Sequence, residues 1–177
     1  ALAVFAVGQP THAGTLAQRA AAIFREAQAE VSRIKETEYF NSNYDRGEAW
    51  YFEHFAQSGK AVGEISNMYY VDENVAARIH AFDPEMRIIF NLRRPESLLE
   101  SIAGFGVRRG FDPGDPGFFE TPIGRVMGSG YDNRLATGSL NRGDTVQMAD
   151  AACMSRFLQP YIDLFGKDRV YFLVFER

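Results

Sequence analysis

Ala3-Val4-Phe5-Ala6-Val7-Gly8-Gln9-Pro10-Thr11-His12-Ala13-Gly14-Thr15-Leu16 opens the chain with an unbroken apolar run, a glycine-bearing loop and the first residue of a helical stripe. An apolar run that ends at a glycine has the pattern of a buried parallel strand. Leu16 to Val31 is rich in Ala, Gln, Glu and Arg, which favour helix, and Leu16, Ala20, Ile23, Phe24, Ala27 and Val31 fall on one stripe. A turn feeding a helix N-terminus presents free backbone N–H groups and the positive end of the helix dipole, a setting for phosphate. Gly14 lets the backbone approach closely, and Thr15 adds a hydroxyl donor. The same letters also suit an ordinary strand-to-helix turn. A Walker loop would place Gly-Lys-Ser/Thr after four intervening residues, and its lysine is missing here, which argues against ATP- or GTP-driven phosphoryl transfer in its usual form.

Outward from this unit, strands and helices alternate. Ile34 to Asn41 reads as a short strand running into a loop, Glu48 to Phe55 as a helix, and Ala61 to Ser66 as another strand. Asp72 is a candidate N-cap for a helix through Phe82, stopped by Asp83-Pro84. Met86 to Leu92 has the composition of a central strand, and Pro95 marks the first turn of the next helix. From Gly104 to Arg142 the periodicity fails and Gly and Pro recur, so this stretch is expected to be a long irregular insertion. Asp144 to Phe165 reads as one amphipathic helix with Pro160 inside it, and Arg169 to Phe175 as the last strand. The expected fold class is α/β: a central, mostly parallel sheet flanked by helices, in three P-loop-like layers and one domain spanning residues 1–177.

Composition narrows the function. The 177 residues, 46 % hydrophobic and 24 % charged, suit a globular domain with its own core. No apolar run is long enough to cross a bilayer, and the first residues lack the basic flank and cleavage pattern of a signal peptide. The single cysteine, Cys153, forms no intrachain disulfide and offers no metal cluster. A cytoplasmic protein is the expectation. A net charge of −4 argues against nucleic acid as the main partner, yet a few basic side chains suffice for a small anion.

Two further segments carry candidate chemistry. In Asn91-Leu92-Arg93-Arg94-Pro95, an arginine at the end of a central strand lies at the carboxyl edge of the sheet, where open α/β folds bind ligands. Its planar fork suits a phosphate, and Ser101 lies eight residues on. The alternative is a surface arginine pair beside a helix start. In Lys35-Glu36-Thr37-Glu38-Tyr39-Phe40, a carboxylate beside a phosphate loop can act as a general base. The alternative is a solvated charge cluster, and Glu38 fits that description. Cys153 is expected as a small buried side chain, Trp50 as packing, and His54 and His80 as structural or exposed.

In order and spacing these segments resemble the PAPS-dependent sulfotransferase family, above all its carbohydrate-sulfating branch, in a bacterial form. Pro10 to Thr15 is similar to the family's Pro-Lys-x-Gly-Thr loop, Lys35 to Phe40 to its Lys-Glu-x-x-Phe/Tyr-Phe segment, Gly63 to Tyr69 to Gly-Glu-x-Ser/Thr-Pro-x-Tyr, and Leu92 to Ser101 to Leu-Arg-x-Pro with its serine. The resemblance implies phosphoadenosine phosphosulfate (PAPS) as sulfuryl donor, leaving phosphoadenosine phosphate (PAP), with no metal. It puts the 5′-phosphosulfate on Thr11, His12, Ala13, Gly14, Thr15 and Leu16, and the 3′-phosphate on Arg93 and Ser101. Glu36 matches the family's proposed base, and His12 stands at its loop lysine. The acceptor would be a small molecule, a carbohydrate or a lipid-linked alcohol, framed by residues 104–142 with Arg108, Arg109, Phe118, Phe119 and Tyr131.

The chain departs from the family pattern at several places. His12 replaces a lysine or arginine and carries full charge only when protonated. Ile65 stands where some members have lysine, which leaves Glu64 or Ser66 to line the acceptor side, and Asn67 stands where proline is common. The family commonly continues past the last strand with a segment that closes over the cofactor, and this sequence stops before one. Two competing readings remain at this stage: a P-loop-like small-molecule kinase, which the missing lysine disfavours, and a nucleotide-binding module without catalysis.

Overall fold

The computed structural model describes residues 2–6, 30–56, 62–127 and 146–174. Five strands, β1 (Leu2–Ala6), β2 (Glu30–Val31), β3 (Val62–Ile65), β4 (Arg87–Leu92) and β5 (Val170–Val174), form one sheet in the order β2-β3-β1-β4-β5. Every pairing is parallel; in register, Val4 of β1 faces Ile65 of β3 on one side and Ile89 of β4 on the other. The α/β class with a parallel sheet is therefore as expected.

β4 forms because its run is apolar and β-branched, and Ile88, Ile89, Phe90 and Asn91 are all buried, as a strand covered on both faces requires. Helix α2 (Glu73–Phe82) starts where Asp72 accepts a hydrogen bond from the Asn74 backbone at 3.0 Å, and it buries Val75, Ala76 and Ile79. Helix α3 (Pro95–Arg108) has Pro95 in its first turn and buries Leu98, Ser101, Ile102 and Gly106 along one stripe. The short helix α1 (Gly47–Phe52) adds Tyr51 to an aromatic cluster in which Tyr39 stacks on Tyr51 at 4.3 Å and Phe40 meets Phe82 edge-on at 5.3 Å.

Five sequence expectations change. Residues 34–41 are loop: the ladder of β2 ends at Val31, and Glu36 and Glu38 adopt positive φ, which no strand tolerates. The end of the expected first helix, Glu30–Val31, is β2 itself, and residues 16–29 lie outside the described residues. The stretch expected to be irregular begins inside α3, which runs on through Gly104 and Gly106 to Arg108. At Gly106 a Cβ would stand 3.3 Å from the Phe118 ring, so the glycine is a close-packing position inside a helix and not a breaker. Beyond it come a 3-10 turn at Phe118–Glu120 and helix α4 (Ile123–Met127). The expected long helix is two, α5 (Met148–Ala151) and α6 (Met154–Phe165). Cys153 sits at the break with its backbone out of helical conformation, and it is exposed where burial was expected.

Helix α6 buries Phe157, Leu158, Tyr161 and Phe165, and the Tyr161 ring meets Phe90 edge-on at 5.0 Å. Phe90 also stacks on Phe172 of β5 at 5.8 Å, so one ring joins β4, β5 and α6. Phe90→Ala should cost about 3–5 kcal/mol of stability. A urea titration should show a lower midpoint with an unchanged slope, and an unshifted midpoint would remove Phe90 from the core.

Candidate active site

The carboxyl ends of parallel strands are the site of α/β proteins, at the point where successive connections leave in opposite directions. Here the connection from β1 leads toward β2 at one edge, and that from β4 leads to β5 at the other. β1 and β4 are neighbours, so the crevice opens between their carboxyl ends. Arg93 follows β4 at that edge, half-buried, and Ser101 is buried two turns into α3. The segment after β2 brings Glu36 to the same edge, on the β3 side of β1. Thr11, His12, Ala13, Gly14, Thr15 and Leu16 lie outside the described residues.

The Glu36 loop is held by β3 and by its own interior. Glu36 N donates to Ile65 O at 3.0 Å, and Glu38 N donates to the Ser66 hydroxyl at 3.3 Å. Glu36 and Glu38 have φ of +57° and +46°, the left-handed region that ordinary residues occupy at a cost of order 1–3 kcal/mol each. Between them Thr37 points the other way and is buried, its Oγ1 hydrogen-bonded to Glu64 Oε2 and 3.2 Å from the Tyr69 hydroxyl. Tyr69 OH donates to Glu64 Oε1 at 2.8 Å and accepts from Phe40 N at 3.1 Å, while Tyr51 also hydrogen-bonds Glu64. Downstream, Asn43 Nδ2 donates to Thr37 O at 2.8 Å. Arg78 Nη1 donates to Phe40 O at 2.9 Å with its guanidinium over the Tyr44 ring.

Glu64 is 1 % exposed, and burial pushes its carboxyl from an ordinary 4.5 up to about 8, against the lowering effect of the Tyr69 and Tyr51 hydroxyls. At neutral pH it is an acid and not an anion. Thr37 and Tyr69 each donate to one oxygen of this carboxyl and also contact one another, so the three side chains form a closed, buried ring. Burial and the adjoining carboxyl also push the Tyr69 and Tyr51 hydroxyls well up, so neither is a proton donor to solvent chemistry. Glu64 and Ser66 therefore do not line an acceptor pocket as the sequence suggested. Ser66 is fully buried and caps the Glu38 backbone.

Glu36 itself is half-buried. Its Oε1 accepts from Asn67 Nδ2 at 2.9 Å and lies 3.4 Å from Lys35 Nζ. Among the described residues, then, Glu36 and Arg93 stand at one edge of the sheet, on opposite sides of β1. Arg108 and Arg109 lie elsewhere, at the far end of a 14-residue helix about 21 Å from its start. They pack over Phe105, and Phe118 is buried while Phe119 is exposed. Tyr131 lies outside the described residues. Trp50 packs edge-on against His54 at 4.5 Å, as expected of a packing residue.

The chain shares its fold with a bacterial sulfotransferase. The crystal structure of the sulfotransferase from Alicyclobacillus acidocaldarius superposes with a TM-score of 0.67 over 97 % of this chain and 72 % of that one, at 20 % identity. No protein-family model matches the chain, and no curated protein matches it in sequence. Among the described residues no group of acidic, histidine or cysteine side chains is arranged to hold a metal, and no helix is long and apolar enough to cross a membrane.

Sequence reasoning named Glu36, Arg93 and Ser101 as candidates, but it missed what holds the Glu36 loop. Thr37, Asn67 and Arg78 act through contacts distant in sequence, and Asn43 through one six residues away. The one available signal was a cluster of carboxyl, hydroxyl and amide residues, Glu64, Ser66, Asn67 and Tyr69, at a strand end.

The raised pKa of Glu64 has a consequence of definite sign for stability. Between pH 4.5 and about 8 the folded chain holds a proton that the unfolded chain releases. Its contribution is complete below pH 4.5 and falls as pH rises toward 8, by at most about 1.4 kcal/mol per pH unit. Urea unfolding at pH 5 and pH 8 should show this loss in the wild type and a flatter response in Glu64→Gln. Parallel pH profiles for the two would mean that Glu64 is ionised in the fold.

Proposed function

We propose that this chain is a PAPS-dependent sulfotransferase, transferring a sulfuryl group to an acceptor hydroxyl or amine by in-line attack, with Glu36 as general base. The observation that carries the reading is Glu36 itself. It is a carboxylate in a strained backbone conformation, over-determined by buried hydrogen bonds, at the crevice edge of a sheet that shares its fold with a sulfotransferase. Strain of this kind persists where surrounding structure enforces it, and it clusters at functional sites.

PAPS, when bound, supplies an activated sulfuryl group with a phosphate as its leaving group. The residues present fit such a ligand. The Arg93 guanidinium at the end of β4 and the Ser101 hydroxyl on the following helix form a donor pair for the 3′-phosphate. Residues Thr11 to Leu16, which come after β1 in sequence, would take the 5′-phosphosulfate if they form the P-loop-like cradle of a three-layer scaffold that the motif resemblance implies. His12 would donate a hydrogen bond there in place of a lysine, most strongly when protonated. Glu36 accepts the acceptor's proton as that oxygen attacks, and fixed donors at the crevice stabilise the charge that develops on the leaving side. None of these steps asks for a metal. The acceptor is a small molecule, a carbohydrate or a lipid-linked alcohol, and its side of the site borders the Glu36 loop.

A thermal-shift titration with PAP, beside ADP and AMP, tests the reading directly. A ligand held by the folded state alone at a hundred times its dissociation constant stabilises by about 2.7 kcal/mol, or about 5–10 °C for a domain of this size. PAP should produce this shift, ADP and AMP much less, and Arg93→Ala should abolish it. Glu36→Gln should keep the shift and lower kcat by about 10²- to 10⁴-fold. Equal shifts with ADP would favour a kinase, and no shift with any of the three would end the proposal.

A further inference from the structure

Three consecutive residues at the end of β3 form a template for the three residues that carry Glu36. Ile65 O takes the Glu36 N–H at 3.0 Å, Ser66 Oγ takes the Glu38 N–H at 3.3 Å, and Asn67 Nδ2 donates to Glu36 Oε1 at 2.9 Å. The first two contacts fix the backbone. The third fixes the carboxylate, and Asn67 is the one side chain of the template that touches it.

We infer that Asn67 is a positioning residue for Glu36, holding one carboxylate oxygen so that the other is presented to the acceptor; this rests on the reading of Glu36 as the base. Asn67 is 5 % exposed, so its amide is fixed in place and the donor side of this part-buried hydrogen bond is shielded from water. Lys35, the other group near Oε1, is half-exposed at 3.4 Å, and ion pairs of that kind are weak and screened. Both groups engage Oε1, which leaves Oε2 as the oxygen for proton transfer among the described contacts. A neutral amide is suited to the task. It orients a carboxylate as firmly as a cation does while stabilising its charge less, and so preserves its readiness to take a proton.

The test compares Asn67→Ala and Asn67→Leu with wild type in two measurements. The first is PAP release from PAPS, alone and with a panel of sugar, phenol and primary-alcohol acceptors. Both variants should lose about 10- to 100-fold in kcat, with the KM for PAPS and the affinity for PAP unchanged. Asn67→Leu has nearly the shape of asparagine, no donor and no charge, so a packing role alone would leave it near wild type and overturn the inference. Wild-type kcat in both variants would overturn it equally. The second measurement is the position of the Asn67 side-chain amide signals in ¹⁵N–¹H spectra of wild type and Glu36→Gln. They should shift when the carboxylate is replaced, whether or not any acceptor is turned over; unshifted signals would show that the contact is absent. A wild type that neither binds PAP nor releases it from PAPS would defeat the sulfotransferase reading and this role with it. That failure is recognisable because the amide shift on Glu36→Gln would still be present.

Discussion

A buried carboxyl that stays protonated organises the region around the candidate base. Glu64 lies on β3 with its side chain turned into the core, where an ionised carboxylate would have to be paired or would unfold its surroundings. Protonation solves the problem locally, because a neutral acid can both donate and accept. The resulting ring with Thr37 and Tyr69 draws Thr37 inward. Its neighbours Glu36 and Glu38 are then obliged to turn outward, and their left-handed conformations follow from that geometry. Tyr69 extends the same connection further, since its carbonyl accepts from Tyr161 OH at 3.0 Å and so ties the ring to α6. A hydrophobic substitute for Glu64 could fill the space with equal stability. It could not hold Thr37, and the loop would lose its reason to be strained.

The sheet supplies the second constraint. All five strands run parallel, so every strand delivers its following loop to one edge. With β1 between β3 and β4, the Glu36 loop leans on β3 while Arg93 emerges from β4 on the other side of β1. The separation of a candidate base from a candidate phosphate ligand is thus set by strand order and not by the loops. This also accounts for Arg108 and Arg109, which belong to the far end of a helix that starts at the crevice.

What the sequence revealed divides along the range of the forces involved. β4, the Asp72 cap, the Pro95 helix start and the Gly166 stop are local features, each written in a few adjacent residues, and each stands within a residue of its expected place. Residues 34–41 were misread because Ile34, Thr37, Tyr39 and Phe40 carry strand propensity, whereas the conformation is dictated by Glu64 and Tyr69 about 30 positions away. The stretch from Gly104 was read as irregular because the close packing of Gly106 against Phe118 leaves no trace in the local pattern. At the site, Glu36, Arg93 and Ser101 were named as candidates through a resemblance of motifs. The amide that grips Glu36 was visible in that comparison only as a departure, at a position where proline was the expectation.

The same departure bears on the placement of the candidate base. When the leaving group is already activated, little proton transfer is needed early in the reaction, and a carboxylate would serve if it is correctly placed. Placement is what this structure supplies. The strained backbone, the buried ring beneath it, the Ser66 cap and the Asn67 amide all restrict where the Glu36 carboxylate can go. None of them adds a buried positive charge beside it, and among the described residues the cation near it, Lys35, is half-exposed. Glu36 is held in place and left partly open to solvent, as a candidate base would have to be if its acceptor arrives from outside.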